Sequence, residues 1–339
     1  MRIPELTFDH LVHLSTADGL FEHAAFNHPR REHGYCLDDV ARALVVTARQ
    51  PEPTAEIVGW SRVYLDFVLA AQNARGASHN RRGIDGSWTD TPSTDDHWGR
   101  SLWGMGATVA SSPDESMRQG ALAGAELAMK ARSPYARSMS YAVLGAAEIL
   151  TTVPGHRPSI ELLTDARGML GRPSKSAAWP WPEPRLHYAN AVLPEAWLAI
   201  GARLHDEVAL SDGLRMLRWL VAQQTRGTHL SMTPAQGWAP GEARPSFDQQ
   251  PIEVTALAEA SWRALEITHE SEWAFVLDRC MAWFLGWNDS GKAVYDPTTG
   301  GGHDGLLESG VNLNEGAEST LAALATFQLA RLASARRLR

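Results

Sequence analysis

The sequence predicts an all-α chain, a single (α/α)6 toroid of about twelve helices in inner and outer rings across residues 1–339. Three observations carry that expectation. Strand-like alternation is nearly absent, and apolar residues instead recur at three- and four-residue steps along most of the chain. Six segments open with polar or acidic residues and continue as helices rich in Ala, Gly and Leu. Between them lie amphipathic stretches long enough to form a second set of helices.

The six small-residue segments are DDVARALVV (38–46), DDHWGRSLWGMG (95–106), YARSMSYAVLGAAEIL (135–150), YANAVLPEAWLAIG (188–201), DQQPIEVTALAEAS (248–261) and NEGAESTLAALATFQLA (314–330). Their starts are 40 to 66 residues apart, enough for a loop, an outer helix and a return loop, and too uneven for a solenoid. Small side chains let helices approach closely, and a helix apolar around most of its surface is buried on all sides. These segments form the inner ring.

Outer helices are expected near 5–17, 56–73, 113–131, 158–170, 203–224 and 270–287. The second is the clearest, with Ile57, Trp60, Tyr64, Phe67 and Ala71 in one stripe and Arg62 and Asp66 outside it. The fourth is the weakest, because Gly168, Gly171 and Pro173 cut it short. In this arrangement every inner helix points its N-terminus at the same end of the ring. Asp38, Asp95, Asp248 and Asn314 suit N-caps there, and Pro251 suits a first turn.

Composition narrows the function. A hydrophobic fraction of 44% and a charged fraction of 21% describe a packed globular protein. The formal charge is −8, and the only basic cluster, Arg336, Arg337 and Arg339, reads as a frayed helix end. Nucleic acid is therefore excluded as a partner. No apolar run approaches the roughly 18–20 residues of a membrane span. The opening MRIPELTFDH carries Glu5 and Asp9 and no apolar signal core, so a cytoplasmic location is expected. Cys36 and Cys280 supply neither a four-ligand zinc site nor a disulfide framework. The 13 Trp outnumber the 8 Phe and 6 Tyr, and the indole face is a good sugar-stacking surface.

The loops at the inner-helix N-termini are longer than connection requires. HPRREHGYC (28–36), GIDGSWTDTPSTDDHWGR (83–100), AAWPWPEPRLHYAN (177–190) and TTGGGHDGLLESGVNLNEG (298–316) gather His, Trp, Gly and carboxylates. Carboxylates converging from several helix tops beside aromatic planes suit glycoside chemistry, in which one carboxylic acid protonates the leaving oxygen and a carboxylate activates water or attacks. The acidic candidates are Asp38, Asp39, Asp96, Glu195, Asp248, Glu253, Asp304, Glu315 and Glu318. Glu253 and Glu318 fall in first turns, where a carboxylate favours the helix dipole, and Asp39 and Asp304 have the least structural explanation. GMGA (104–107) lacks a third glycine and a preceding strand, GGGHDG (300–305) lacks the Lys-Ser/Thr of a P-loop, and no GxSxG is present. His10/His13 and His23/His28/His33 read as structural. No metal and no cofactor are expected.

The runs GLFEHAAFNHPRREHGYCLDDVARAL (19–44), WGRSLWGMG (98–106), WPWPEPRLHYANAVLPEAW (179–197), FDQQPIEV (247–254) and GGGHDGLLESGVNLNEGAESTLA (300–322) resemble a bacterial family of helical-toroid proteins labelled glycosidase-like or glycosyltransferase-associated. The resemblance implies a glycan-processing role, beside mannoside phosphorylases and glycosyltransferases in sugar gene clusters. Asp38, Asp39, Asp96, Tyr188, Asn190, Asp248, Gln249, Gln250, Asp304, Asn314 and Glu318 fall on the family pattern, which carries Gln where this chain has Glu315.

These features point to an inverting glycoside hydrolase acting on a small oligosaccharide or glycoside, with Asp39 and Asp248 as acid/base pair and Asp304 as third candidate, Asp38 and Asp96 beside them. Trp98, Trp181, Tyr188 and His303 are the expected sugar platform. Arg100, Asn190, Gln249 and Gln250 would hold hydroxyls, and His33, Tyr35, Glu195 and Asn314 complete the substrate set. Three rivals stand beside this reading. An inverting phosphorylase would use Arg30, Arg31, Arg42 and His33 for phosphate. An epimerase or isomerase would pair His33 with His187 or His303. A non-catalytic glycan-binding partner of a glycosyltransferase would need the aromatics but not the acids.

Overall fold

The computed structural model describes residues 3–337. Among the described residues, twelve α-helices form a closed double ring. The inner ring consists of α2 (Leu37–Ala48), α4 (Asp96–Ser111), α6 (Ala136–Thr152), α8 (Val192–Leu204), α10 (Pro251–Thr268) and α12 (Ala317–Arg337). The outer ring consists of α1 (Asp9–His13), α3 (Ala55–Ala70), α5 (Glu115–Ala128), α7 (Arg157–Met169), α9 (Glu207–Gln223) and α11 (Ser271–Phe284). Each inner helix packs on the next, and α12 returns to α2, where Gln328 Nε2 donates to the Val46 carbonyl at 2.9 Å. The (α/α)6 toroid is thus the observed architecture. Among the described residues no helix is long and apolar enough to cross a membrane.

The inner ring closes because its facing surfaces are small. Side chains at Gly106 and Gly145 would sit about 2.2 Å from the carbonyls of Gly145 and Leu102, and one at Gly99 would meet the Ser138 carbonyl at 2.1 Å. Backbone therefore touches backbone between α4 and α6, and even alanine would force these helices apart. Trp98 of α4, Trp181, and Trp273 and Trp283 of α11 are fully buried in the core.

The first outer helix is the exception to the expected pattern. It ends at His13, and Ser15–Thr16 and Gly19–Leu20 form a hairpin across an Ala17-Asp18 turn. The fourth outer helix runs its full expected length, since Gly168 faces open space and Pro158 sits harmlessly in the first turn. Short antiparallel pairs of two or three residues per strand tie the loops, among them the hairpin of Gly305–Leu307 with Gly310–Asn312 and the long-range pair of Tyr35–Cys36 with Arg81–Arg82. At the chain's end Arg336 is docked rather than frayed, pairing with Glu266 and covering the Trp262 ring at 5.1 Å. Arg339 lies outside the described residues.

Side-chain caps occur on three of the outer helices, while α1, α7 and α11 have none. Thr54, Asp114 and Asp206 each accept a backbone N–H at the start of α3, α5 and α9. No side chain caps the N-termini of α2, α4, α6, α8 or α10. Asp38, Asp95, Asp248 and Asn314 are therefore not the caps the sequence suggests. Asp38 faces an arginine, Asp95 accepts from Ser93 Oγ at 2.8 Å, and Asn314 accepts the Phe26 N–H at 2.9 Å. The inner helices bring uncapped, partly positive N-termini to one mouth of the ring, a setting that favours carboxylates.

Candidate active site

That mouth holds a cavity of about 1000 Å³. Asp38 and Asp39 reach it from the first turn of α2, Asp96 from the first residue of α4, and Glu318 from the first turn of α12. Asp304 enters from the loop ahead of α12. Arg100, Tyr188 and Gln250 also line it.

The four aspartates differ in their surroundings. Arg100 Nη1 donates to Asp38 Oδ1 at 2.7 Å and Arg100 Nη2 to the Tyr141 hydroxyl at 3.1 Å. Burial alone would raise the Asp38 carboxyl, but Arg100 and then Arg42 outweigh it and hold Asp38 below the ordinary range. Asp39 is 3% exposed and accepts from Arg42, whose other nitrogen pairs with Glu318 at 2.8 Å. Burial pushes Asp39 up to about 7 against the pull of Arg42, and Glu318, Glu22 and Asp38 add to the rise.

Asp96 is half-buried, and its Oδ2 is closed off from solvent without any hydrogen-bond partner. Burial raises its pKa, with Arg100 opposing and the negative Asp38 adding. Asp304 Oδ1 accepts the Gly316 N–H at 2.9 Å and the Ser319 hydroxyl at 2.8 Å. Burial raises Asp304 as well, those two hydrogen bonds oppose it, and Glu318 adds. Neighbouring carboxyls are thus pushed toward opposite protonation states, the arrangement that acid–base catalysis needs.

Several other nominated residues are held elsewhere by packing or internal hydrogen bonds. Asp248 is exposed and does not line the cavity, so the structure does not bring it to Asp39. Trp98 and Trp181 are core, and Tyr35 is buried against Phe21 with ring centroids 4.8 Å apart. Asn190 and Gln249 are both fully buried. Asn190 Nδ2 donates to Glu253 at 2.9 Å, while Gln249 Oε1 accepts the Met232 N–H at 3.0 Å and the Trp283 indole at 3.1 Å. Asn314 ties down Phe26. Glu195 pairs with Arg263 at 2.9 Å and lines a different pocket. His303 lies behind the cavity wall, His187 is exposed outside the lining, and His33 stands edge-on to His23 at 5.0 Å.

Some lining residues carried no clear signal. Asn80 accepts the Asp38 N–H at 3.3 Å, and Asp90 accepts the Asn80 N–H at 2.6 Å, so the long loop before α4 folds back onto α2. Arg81 pairs with Glu22. Glu318, read as a dipole partner, instead faces the cavity through its bond to Arg42. The aromatic faces at the cavity are Tyr135, 57% exposed, and Tyr188, 39% exposed. Tyr135 opens the third small-residue segment, and that position was its available signal.

No family model matches the sequence, and no curated protein matches it either. Solved structures do match. A sugar epimerase from a ruminal bacterium superposes with a TM-score of 0.71 at 8% identity, over 96% of this chain and 95% of that one. This chain shares the (α/α)6 toroid. Cellobiose 2-epimerase from Spirochaeta thermophila gives 0.70 at 11% identity, over 97% and 93% of the two chains. A cellulase of C. cellulolyticum in complex with cellobiose gives 0.62 at 10% identity, over 92% and 87%. At these identities the likeness is one of fold, and the same toroid serves more than one reaction.

Proposed function

We propose that the protein is a glycoside hydrolase that inverts the anomeric centre of a neutral oligosaccharide or glycoside, with Asp96 as general acid and Asp304 as general base. The observation that carries this reading is Asp96 itself. It lines the open cavity with a raised pKa, and its Oδ2 is sealed from solvent with no hydrogen-bond partner, which favours the protonated carboxyl. A general acid must hold its proton near neutral pH and have that proton free to give.

Asp304 suits the complementary role. Burial raises its pKa on balance, which strengthens it as a base, and its two hydrogen-bond donors oppose that rise and fix one oxygen, leaving the other to orient water. Asp96 rises from α4 and Asp304 from the loop ahead of α12, and α2 stands between those two helices in the ring. That placement favours the wider separation of about 6.5–9.5 Å that admits a water molecule. Asp39 acts through Arg42, holding it against Glu318.

The electrostatics favour an uncharged substrate. Carboxyls outnumber guanidiniums in the lining, and Arg42, Arg81 and Arg100 are each already paired with a carboxylate. A phosphorylase would need a cation left over for phosphate. Tyr135 and Tyr188 offer faces for sugar stacking.

An epimerase is the second reading, favoured by the two epimerase structures of the same fold. It needs bases on both faces of the carbon beside a carbonyl. The cavity's histidines are His23 and His97, and His97 is buried with its Nε2 at 2.8 Å from the Ser78 carbonyl oxygen. Incubation with mannosides, glucosides and arabinosides, with and without phosphate, separates the classes. Free sugar released without phosphate, initially as the inverted anomer by NMR, is expected. Sugar-1-phosphate, an isomerised sugar, or binding without turnover would each overturn the hydrolase reading.

A further inference from the structure

A second group of ligating side chains lies behind the cavity wall, where the hairpin of Tyr295–Asp296 and Gly301–Gly302 meets the start of α12. A carboxylate oxygen of Asp296, a ring nitrogen of His303 and a carboxylate oxygen of Glu315 all lie within 4.8 Å of one another. None of the three lines the cavity.

The surroundings of Glu315 are unusual for a carboxylate. Its side chain is 4% exposed, and no Lys or Arg pairs with it among the described residues. Its carboxylate receives one hydrogen bond, from the Thr299 hydroxyl at 2.8 Å. His10 Nε2 and His303 Nδ1 each stand 3.7 Å from a Glu315 carboxylate oxygen, beyond hydrogen-bond reach. His10 Nε2 is engaged instead by the Glu315 carbonyl at 2.8 Å. His303 Nδ1 is buried and has no hydrogen-bond partner. A buried carboxylate facing a buried, unpartnered imidazole nitrogen leaves both groups unsatisfied. One cation between them satisfies both.

We propose that Asp296, His303 and Glu315 bind a divalent transition-metal ion, with zinc the best fit to one imidazole nitrogen and two carboxylate oxygens. The 3.7 Å between His303 Nδ1 and Glu315 Oε1 suits two ligands that each sit about 2.0–2.2 Å from a shared ion. An imidazole donor disfavours Ca²⁺ and Mg²⁺, which take oxygen ligands. The ligands are oriented by outer-shell partners. Asp296 Oδ1 accepts from both the N–H and the hydroxyl of Thr298 at 2.7 Å, and Thr299 holds Glu315. Gly301 leaves the room, since a Cβ there would lie 2.3 Å from Glu315 Oε2.

His303 adjoins Asp304, and Glu315 adjoins Gly316, whose N–H holds Asp304. The ion would tie the hairpin to the α12 N-terminus and so position Asp304 from behind, without touching substrate. The metal site itself does not depend on the hydrolase reading.

The test is zinc titration of chelator-treated protein against a competing chromophoric chelator, with a Co²⁺ absorption spectrum and melting temperature as further readouts. One Zn²⁺ per chain and a raised Tm are expected. Glu315→Gln, which keeps size and the Thr299 bond, and His303→Ala should each weaken zinc by more than the roughly 10–100-fold typical of losing an outer-shell partner. Asp296→Asn is the more exposed substitution and serves if either of those fails to fold. A triple His13→Ala, His28→Ala, His33→Ala variant should keep the site. Zinc binding lost with those outer histidines, unchanged in the ligand variants, or absent from the wild type would overturn the proposal.

Discussion

The two mouths of the ring are built from the same six inner helices, and both bury carboxylates, yet they treat them differently. At the far mouth Arg49 binds Glu148 at 2.7 Å and Glu259 at 2.8 Å, while Arg263 binds Glu195 at 2.9 Å and approaches Glu148 at 3.5 Å. These carboxylates are closed into a network, and the pocket beside them is about 440 Å³. At the near mouth the cavity is about 1000 Å³, and Asp96 keeps an oxygen with no partner. A raised pKa does not distinguish the two. Burial lifts Glu195 at the far mouth, and Glu253 under the Tyr188 loop, to about 7, as it does Asp39. A place on the larger cavity, with no ion pair to close the carboxyl into a network, is what separates the acid proposed to react from acids that hold structure.

Substitutions at the two mouths should therefore separate activity from stability. Asp304→Asn keeps the bonds from Gly316 and Ser319 but cannot take a proton, and turnover should fall about 10²–10⁴-fold with Tm nearly unchanged. Glu195→Gln, also buried, should leave turnover near normal. Equal loss in both would erase the distinction.

Arg49→Leu tests the network from the other side. It strands Glu259, leaves Glu148 only the longer contact to Arg263, and should destabilise the fold by about 3–5 kcal/mol in urea unfolding, while the folded fraction keeps its turnover. Glu253→Ala should destabilise by about 1–3 kcal/mol, because the buried N–H groups of Ala189 and Asn190 lose their acceptor.

A further difference between the buried acids shows in pH dependence. Asp39 titrates near 7 in the folded chain and near 4 unfolded, so the native state binds the extra proton. Its contribution is complete below about pH 4 and is lost as pH rises through 7. Asp39→Asn escapes that loss, and its stability relative to wild type should improve by up to about 4 kcal/mol between pH 4 and 8. A difference that stays flat across that range would place the Asp39 proton elsewhere.

The ring itself was legible because helix periodicity and small-residue seams are local properties of sequence. Gly99, Gly106 and Gly145 declare close packing wherever they sit in a helix. Asp39, Asp96 and Asp304 could be nominated because acids at inner-helix starts share one end of the toroid. Asp248 could not be told from them, since its offset of three residues from the start of α10 decides where it points. The tryptophans misled for a similar reason. Trp98 lies two residues beyond Asp96 on α4, on the side that faces the core, so the turn that exposes the acid buries the indole. Asn80, Asp90 and Arg81 depend on how a long loop folds back across α2, and no local pattern encodes that.

The most direct test of the central claim compares leaving groups in Asp96→Asn. A general acid matters only when the departing oxygen needs a proton, so kcat/KM should be measured on an unactivated disaccharide and on the dinitrophenyl glycoside of the same sugar. The expected result is a loss of about 10²–10⁴-fold on the disaccharide and little loss on the dinitrophenyl glycoside, with the alkaline limb of the wild-type pH profile gone. Equal losses on both substrates, or normal turnover on the disaccharide, would contradict the assignment of Asp96 as the acid.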